Sequence, residues 1–129
     1  MALQPRGEAR AEVLHGREHM LGKAESSLLL DYYGSFLTER QAELMRMSAD
    51  EDMSLSEIAE QVGVSRQAVR DHLSKASKEL ELLEERLGLV ARDRALLSVC
   101  QGLETAANGE GDAKEEAERA ASIIRSLIR

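Results

Sequence analysis

The segment Leu55–Arg70 constrains this chain more than any other stretch. Leu55, Ile58, Ala59 and Val62 recur at i, i+3, i+4 and i+7, the spacing that gathers apolar side chains on one helical face. Gly63 follows where a helix needs a left-handed residue to stop. Val64 is then expected to fill the corner, and Ser65 to cap a second helix through its hydroxyl. That helix carries one inner stripe, Val69, Leu73, Ala76, Leu80, Leu83 and Leu87, before Gly88 marks a stop or kink. Two helices joined so tightly form a helix-turn-helix, a motif that lays one helix across a nucleic-acid backbone and the other in a groove.

The flanking segments predict further helices. Ser54 with Glu57, and Thr38 with Gln41, each have the spacing of a capping box. The second box opens a helix over about 39–47, in which Met45 and Met47 read as core filler. Ser27–Phe36, with Leu28, Leu29, Leu30, Tyr32, Tyr33 and Phe36, predicts a well-buried first helix. Asp50, Glu51 and Asp52 read as a solvated acidic cluster before the next helix, an entry favoured by the dipole; a calcium loop would spread its ligands over about twelve residues around a glycine. Downstream, Leu89, Leu96, Cys100, Leu103 and Ala107 mark one apolar face, and Ala117, Ala120, Ala121, Ile124, Leu127 and Ile128 another. The 108–112 stretch between them is a loop by composition. Glu115 and Glu116 early in the last helix, and Arg125 and Arg129 late, suit its macrodipole. The result is an antiparallel helical hairpin, whose stripes either close the monomer's own core or supply a homodimer contact.

Composition agrees with an all-α fold, a helix-turn-helix bundle followed by a C-terminal hairpin. Proline occurs only at position 5, and Tyr32, Tyr33 and Phe36 are the whole aromatic set, too few for a sheet protein. Residues 1–22 read as a polar tail, disordered or loosely helical, with Met20 an alternative to Met1 as the start. Residues 23–88 form the helix-turn-helix domain and 89–129 the hairpin. With Cys100 the sole cysteine, no internal disulfide or cysteine cluster can form, and its place on an apolar face makes it a small core residue. His15 and His19 stand four apart but lack the further ligands a metal site needs. No cofactor, metal or catalytic constellation is expected, and no enzyme activity. No apolar run approaches a membrane span, and the first residues lack a signal peptide's apolar core, so the cytoplasm is the expected location, without membrane insertion.

The outward face of the second motif helix is where chemistry can occur. At about 100° per residue, with Val69 inward, Gln67, Arg70, Asp71, Ser74 and Lys78 point out, flanked by Arg66 and Lys75. Ser65 and the first-turn amides suit a phosphate, and arginine and glutamine read guanine and adenine edges. The candidate nucleic-acid-binding residues are therefore Ser65, Arg66, Gln67, Arg70, Ser74, Lys75 and Lys78. Four cations (Arg66, Arg70, Lys75, Lys78) against Asp71 leave residues 65–78 at +3, within a chain of net charge −7. Glu79, Glu81, Glu84 and Glu85 follow at once, so the cations serve either phosphate contacts or a solvated face that balances these acids.

The chain from about Leu29 to Leu87 resembles the YlxM family of small bacterial proteins. The resemblance is carried by Leu30-Asp31-Tyr32-Tyr33, Leu37-Thr38-Glu39-Arg40-Gln41, Ser54 to Glu60, Val64 to Val69, and Asp71. The chain departs from the family pattern at Met45–Ala49 and at Arg70, where members usually carry aromatics, and at Ser74–Ser77, usually more basic. The resemblance implies a likeness to region 4 of sigma factors and an accessory or regulatory role in the signal recognition particle pathway. The implied partners are the particle's protein or RNA; the alternative is a sequence-specific DNA-binding regulator. The particle's GTPase is excluded, because no glycine-rich loop ends in Gly-Lys-Ser/Thr.

Overall fold

The computed structural model describes residues 20–128, which contain six α-helices and no strand. They are α1 (Lys23–Tyr33), α2 (Glu39–Ala49), α3 (Leu55–Val62), α4 (Arg66–Leu87), α5 (Leu89–Ala107) and α6 (Ala113–Leu127), with a single 3-10 turn at Gly34–Phe36 after α1. Most of the tail expected over 1–22, including the His15/His19 pair, and Arg129 lie outside the described residues. The chain forms two compact units, divided between Arg86 and Leu87. None of the helices is long and apolar enough to cross a membrane.

In the first unit α1 packs on α2 and α2 on α3. Leu29, Leu30, Tyr33, Leu44, Met45, Met47, Ile58, Val69, Leu73, Ala76 and Leu80 are its buried apolar side chains of largest consequence. Four of them, Val69, Leu73, Ala76 and Leu80, form a continuous line along α4, as a helix with one dry face requires. Tyr33 is fully buried, yet its hydroxyl donates to the Glu84 carboxylate at 2.5 Å. That bond ties α1 to the C-terminal half of α4 across 51 positions of sequence, and it supplies the partner a buried phenol requires.

Two expectations are corrected in this unit. The first helix stops at Tyr33, and Phe36 is 61% exposed in the 3-10 turn. Three turns of the helix already bury Leu29, Leu30 and Tyr33, and a change to 3-10 winding swings the next aromatic outward. Val64 does not fill the corner but is exposed, because the left-handed Gly63 turns the chain away from the core. The acids at 50–52 are exposed and precede the Ser54 cap of the next helix, as read from the sequence, and they also tie back to α1. Asp50 ends α2, its carboxylate accepting from the Ser27 hydroxyl at 2.7 Å, and Asp52 pairs with Lys23 from a left-handed conformation, φ 54°. These are solvent-exposed ties between α1 and the end of α2, each worth little alone.

In the second unit α5 and α6 lie together as a hairpin, and Asp112 caps α6 by accepting from the Lys114 and Glu115 amides. Gly102 leaves room for the side-chain ends that lie over it: a Cβ there would come within 2.3 Å of the Glu116 carboxylate, which would have to move aside. Arg119 holds that carboxylate at 2.8 Å and donates back across the hairpin to the Ser98 carbonyl at 3.1 Å. Val99 and Ala120 are buried, whereas Leu96, Cys100, Leu103, Ile124 and Ile128 are exposed. The expectation that Cys100 is a core residue is therefore corrected. The helices meet along a line that takes in Ala120 of the α6 stripe but on α5 runs beside the stripe, through Val99 and Gly102, and leaves the larger apolar side chains outside it.

Replacing Tyr33 by Phe removes the donor to Glu84 and is expected to cost about 2 kcal/mol, the net worth of a bond to a charged acceptor. Urea unfolding of the full chain measures the loss.

Candidate nucleic-acid interface

The site is assembled by two caps and one turn. Ser54 accepts from the Glu57 amide at 3.1 Å, and Glu57 returns to accept from the Ser54 amide at 2.9 Å, so the box at the start of α3 is complete. These bonds from Ser54, led by its backbone N–H, hold the Glu57 carboxyl below the usual glutamate range. Gly63 stands at φ 80° and ψ 33°. Its N–H and that of Val64 both donate to the Ala59 carbonyl, at 2.9 and 3.1 Å. Ser65 then caps α4, accepting from the Ala68 amide at 3.0 Å. Ala68 has no carboxamide or carboxylate to return the bond, so this cap is one-sided.

Along α4 the sequence-derived residues separate into two rows. Arg66 and Arg70, four apart, are both exposed on one row. Ser74 continues that row but is only 4% exposed, and it is corrected from an outward residue to a buried one. The reason lies in the flank it shares with Ser77. Ser77 is buried too, and its hydroxyl accepts from the Leu21 backbone at 3.4 Å, so the chain leading into α1 covers this side of the helix. Gln67, Asp71 and Lys75 make the second row, with Lys78 beside it, and all four are exposed. Ser65 is exposed at the head of both.

Reading residues singly misses one interaction. The Gln67 carboxamide donates to the Asp71 carboxylate at 2.9 Å, the i, i+4 pairing that helices favour. Their spacing was the available signal. The bond occupies part of the glutamine that would read a base edge and partly masks the acid that would repel a phosphate. The electropositive surface is narrow, because the exposed side of α3 carries Glu57 and Glu60 rather than cations. Its best-formed part is the Arg66–Arg70 row beside the N-terminal end of α4, where the helix dipole is also positive.

A model of the UPF0122 family, helix-turn-helix proteins described as YlxM / p13 like, matches residues 21–120. Among similar curated proteins, a UPF0122 protein of Desulforamulus reducens is 42% identical over 106 residues, covering 79% of this chain and 89% of its own. One from Symbiobacterium thermophilum is 46% identical over 80 residues, 62% of this chain and 75% of the relative. Another, from Acetivibrio thermocellus, is 47% identical over 66 residues, 51% of this chain and 56% of that protein.

Two outcomes follow from this geometry. Gly63→Ala forces a Cβ into the left-handed region and should destabilise the chain by about 1 kcal/mol, read as a lowered melting temperature. For Glu57, whose folded carboxyl is held low, the cap's charge-dependent stabilisation is complete above the ordinary glutamate range and is lost as pH falls through the lowered value. Carboxyl NMR should therefore show Glu57 titrating below the usual range, and Glu57→Gln, which keeps an acceptor, should flatten that part of the acid profile.

Proposed function

The chain belongs to the UPF0122 family of YlxM / p13 like helix-turn-helix proteins, and from that premise we propose that it is a non-enzymatic accessory or regulatory factor of the bacterial signal recognition particle pathway, acting in the cytoplasm by binding the particle's RNA through α4. The pathway assignment is supported by the family resemblance carried by residues 29–87. The choice of nucleic acid as ligand is supported by one observation, the exposed Arg66–Arg70 row at the capped, dipole-positive end of α4. Ser65, Gln67, Lys75 and Lys78 extend the proposed contact. Ser74, being buried, contributes by packing rather than by touching the ligand.

Electrostatic affinity of this kind scales with the number of phosphates neutralised. Four cations within a chain of net charge −7 give a modest, steeply salt-dependent association. An A-form RNA duplex recognised by shape and phosphate position suits such a surface, since it demands little from Gln67. A second reading, a sequence-specific DNA regulator, draws on the arginines and Gln67 as base-reading side chains. It requires the Gln67–Asp71 bond to open, and two copies whose α4 helices lie about 34 Å apart.

Arg66→Ala with Arg70→Ala should weaken binding to the particle's RNA and lower the slope of log affinity against log salt by about 1 to 2, with the helical circular dichroism unchanged. Anisotropy titrations at several salt concentrations measure both. A pull-down with the particle's GTPase, with and without its RNA, tests the pathway. Protein that ignores RNA and GTPase alike, yet shifts a specific promoter fragment at physiological salt, would overturn the proposal in favour of the DNA reading.

A further inference from the structure

We infer that the C-terminal hairpin is a self-association face, on which a second copy of this chain covers one apolar side so that two hairpins close a four-helix bundle. On α5, Val99, Gly102 and Ala106 mark the side turned toward α6; on α6, Glu116, Ala120 and Ile123 mark the side turned toward α5. Leu96, Leu103 and Ala107 lie about 100° further round α5 from that contact, and Ala117, Ile124 and Ile128 lie about 100° further round α6. The helices run in opposite directions, so the same rotation about each axis carries both rows to the same side of the hairpin. Leu96, Leu103, Ile124 and Ile128 are 37%, 43%, 41% and 71% exposed. The other side carries Ser98, Gln101, Thr105, Ser122 and Ser126. One face of the hairpin is thus apolar and the reverse face polar.

The spacing along the open face is that of a bundle seam. Positions 96, 100, 103 and 107 on α5 step by 4, 3 and 4, and positions 117, 121, 124 and 128 on α6 step identically. Alternating steps of three and four are what knobs-into-holes packing between near-parallel helices uses. Size points the same way. The unit Leu87–Arg129 is near the roughly 40 residues below which a fold usually needs a staple such as oligomerisation. Among its described residues only Val90, Val99 and Ala120 are buried. The face is about 22 Å long and about 20 Å across two helices, so a face-to-face pair buries on the order of 1,000 Å², the lower edge of specific interfaces.

Charges at the rim identify the occupant as a second copy. Beyond the apolar row, α5 carries Glu104 and Asp93 and α6 carries Lys114 and Arg125, with Glu118 further round. Glu104 and Lys114 lie within a turn of the connecting loop. Asp93, which also accepts from Arg92 at 3.1 Å, and Arg125 lie about 21 and about 18 Å along their helices from it. A two-fold axis parallel to the helices sets α5 over the partner copy's α6 at equal height, and each acid then meets a base. The alternative, α5 over α5, sets acid against acid.

The test uses the full chain without nucleic acid, so its outcome is separate from that of the RNA proposal. Light scattering after gel filtration should show a mass rising with concentration from 14.2 kDa toward twice that value. Leu103→Lys with Ile124→Lys should hold the chain at the monomer mass with its helical signal retained, whereas Gln101→Lys on the polar side should leave the dimer intact. Ala121→Cys, in the presence of Cys100, should give a covalent dimer under mild oxidation. These two positions sit on opposite edges of one hairpin and face each other only between copies, and Ser122→Cys should not cross-link. A chain that is monomeric at hundreds of micromolar, or a dimer that survives the paired lysines and does not cross-link through Ala121→Cys, overturns the inference.

Discussion

The Ala59 carbonyl receives two backbone N–H groups, from Gly63 and Val64, and the geometry of the helix-turn-helix depends on that shared acceptor. It ends α3 at Val62 and turns the chain within three residues, so that Ser65 is delivered to the head of α4. α3 spans only eight residues, too few for a helix to persist alone in water. It persists because its ends are closed, by the Ser54–Glu57 box and by the Gly63 turn, and because Ile58 and Ala59 are buried beneath it. The presentation of Arg66 and Arg70 follows from where this turn begins α4.

α4 combines two kinds of surface along 22 residues. Its N-terminal half offers cations beside a positive dipole, and its C-terminal half carries Glu79, Glu81, Glu84 and Glu85. Part of that acidity is structural, since Glu84 receives the hydroxyl of the fully buried Tyr33. The acidic half thereby anchors α1, and the basic half is left to present side chains outward. The buried line from Val69 to Leu80 joins the halves, so the orientation of the exposed rows is fixed by packing on the opposite side of the helix.

Local chemistry was legible where both partners of an interaction stand within a few positions. Thr38 with Gln41 and Ser54 with Glu57 form the boxes their spacing predicts, Gly63 is left-handed, and Ser65 caps α4. What escaped were contacts between distant segments. Ser74 follows the outward period of α4 yet is buried, because the segment before α1 reaches that flank at Leu21. Asp50 and Asp52 read in the sequence only as solvated acids before α3, and in the fold they also hold Ser27 and Lys23. Neither outcome is encoded in a periodicity, since each depends on which distant segment arrives.

The hairpin shows the same division. An apolar stripe on each helix is visible in the sequence; α6 uses Ala120 of its stripe for the contact, whereas α5 turns Val99 and Gly102 toward α6 and leaves Leu96, Cys100 and Leu103 exposed. The helices, most of their caps, the turn between α3 and α4, and the charge carried by each stretch can be read from local sequence, because these rest on short-range hydrogen bonds and on side-chain type. Which faces are covered is settled by the folded arrangement. Burial depends on segments brought together over long sequence separations, and a helix with more apolar or small residues than one contact can use fits more than one orientation until its neighbour is in place.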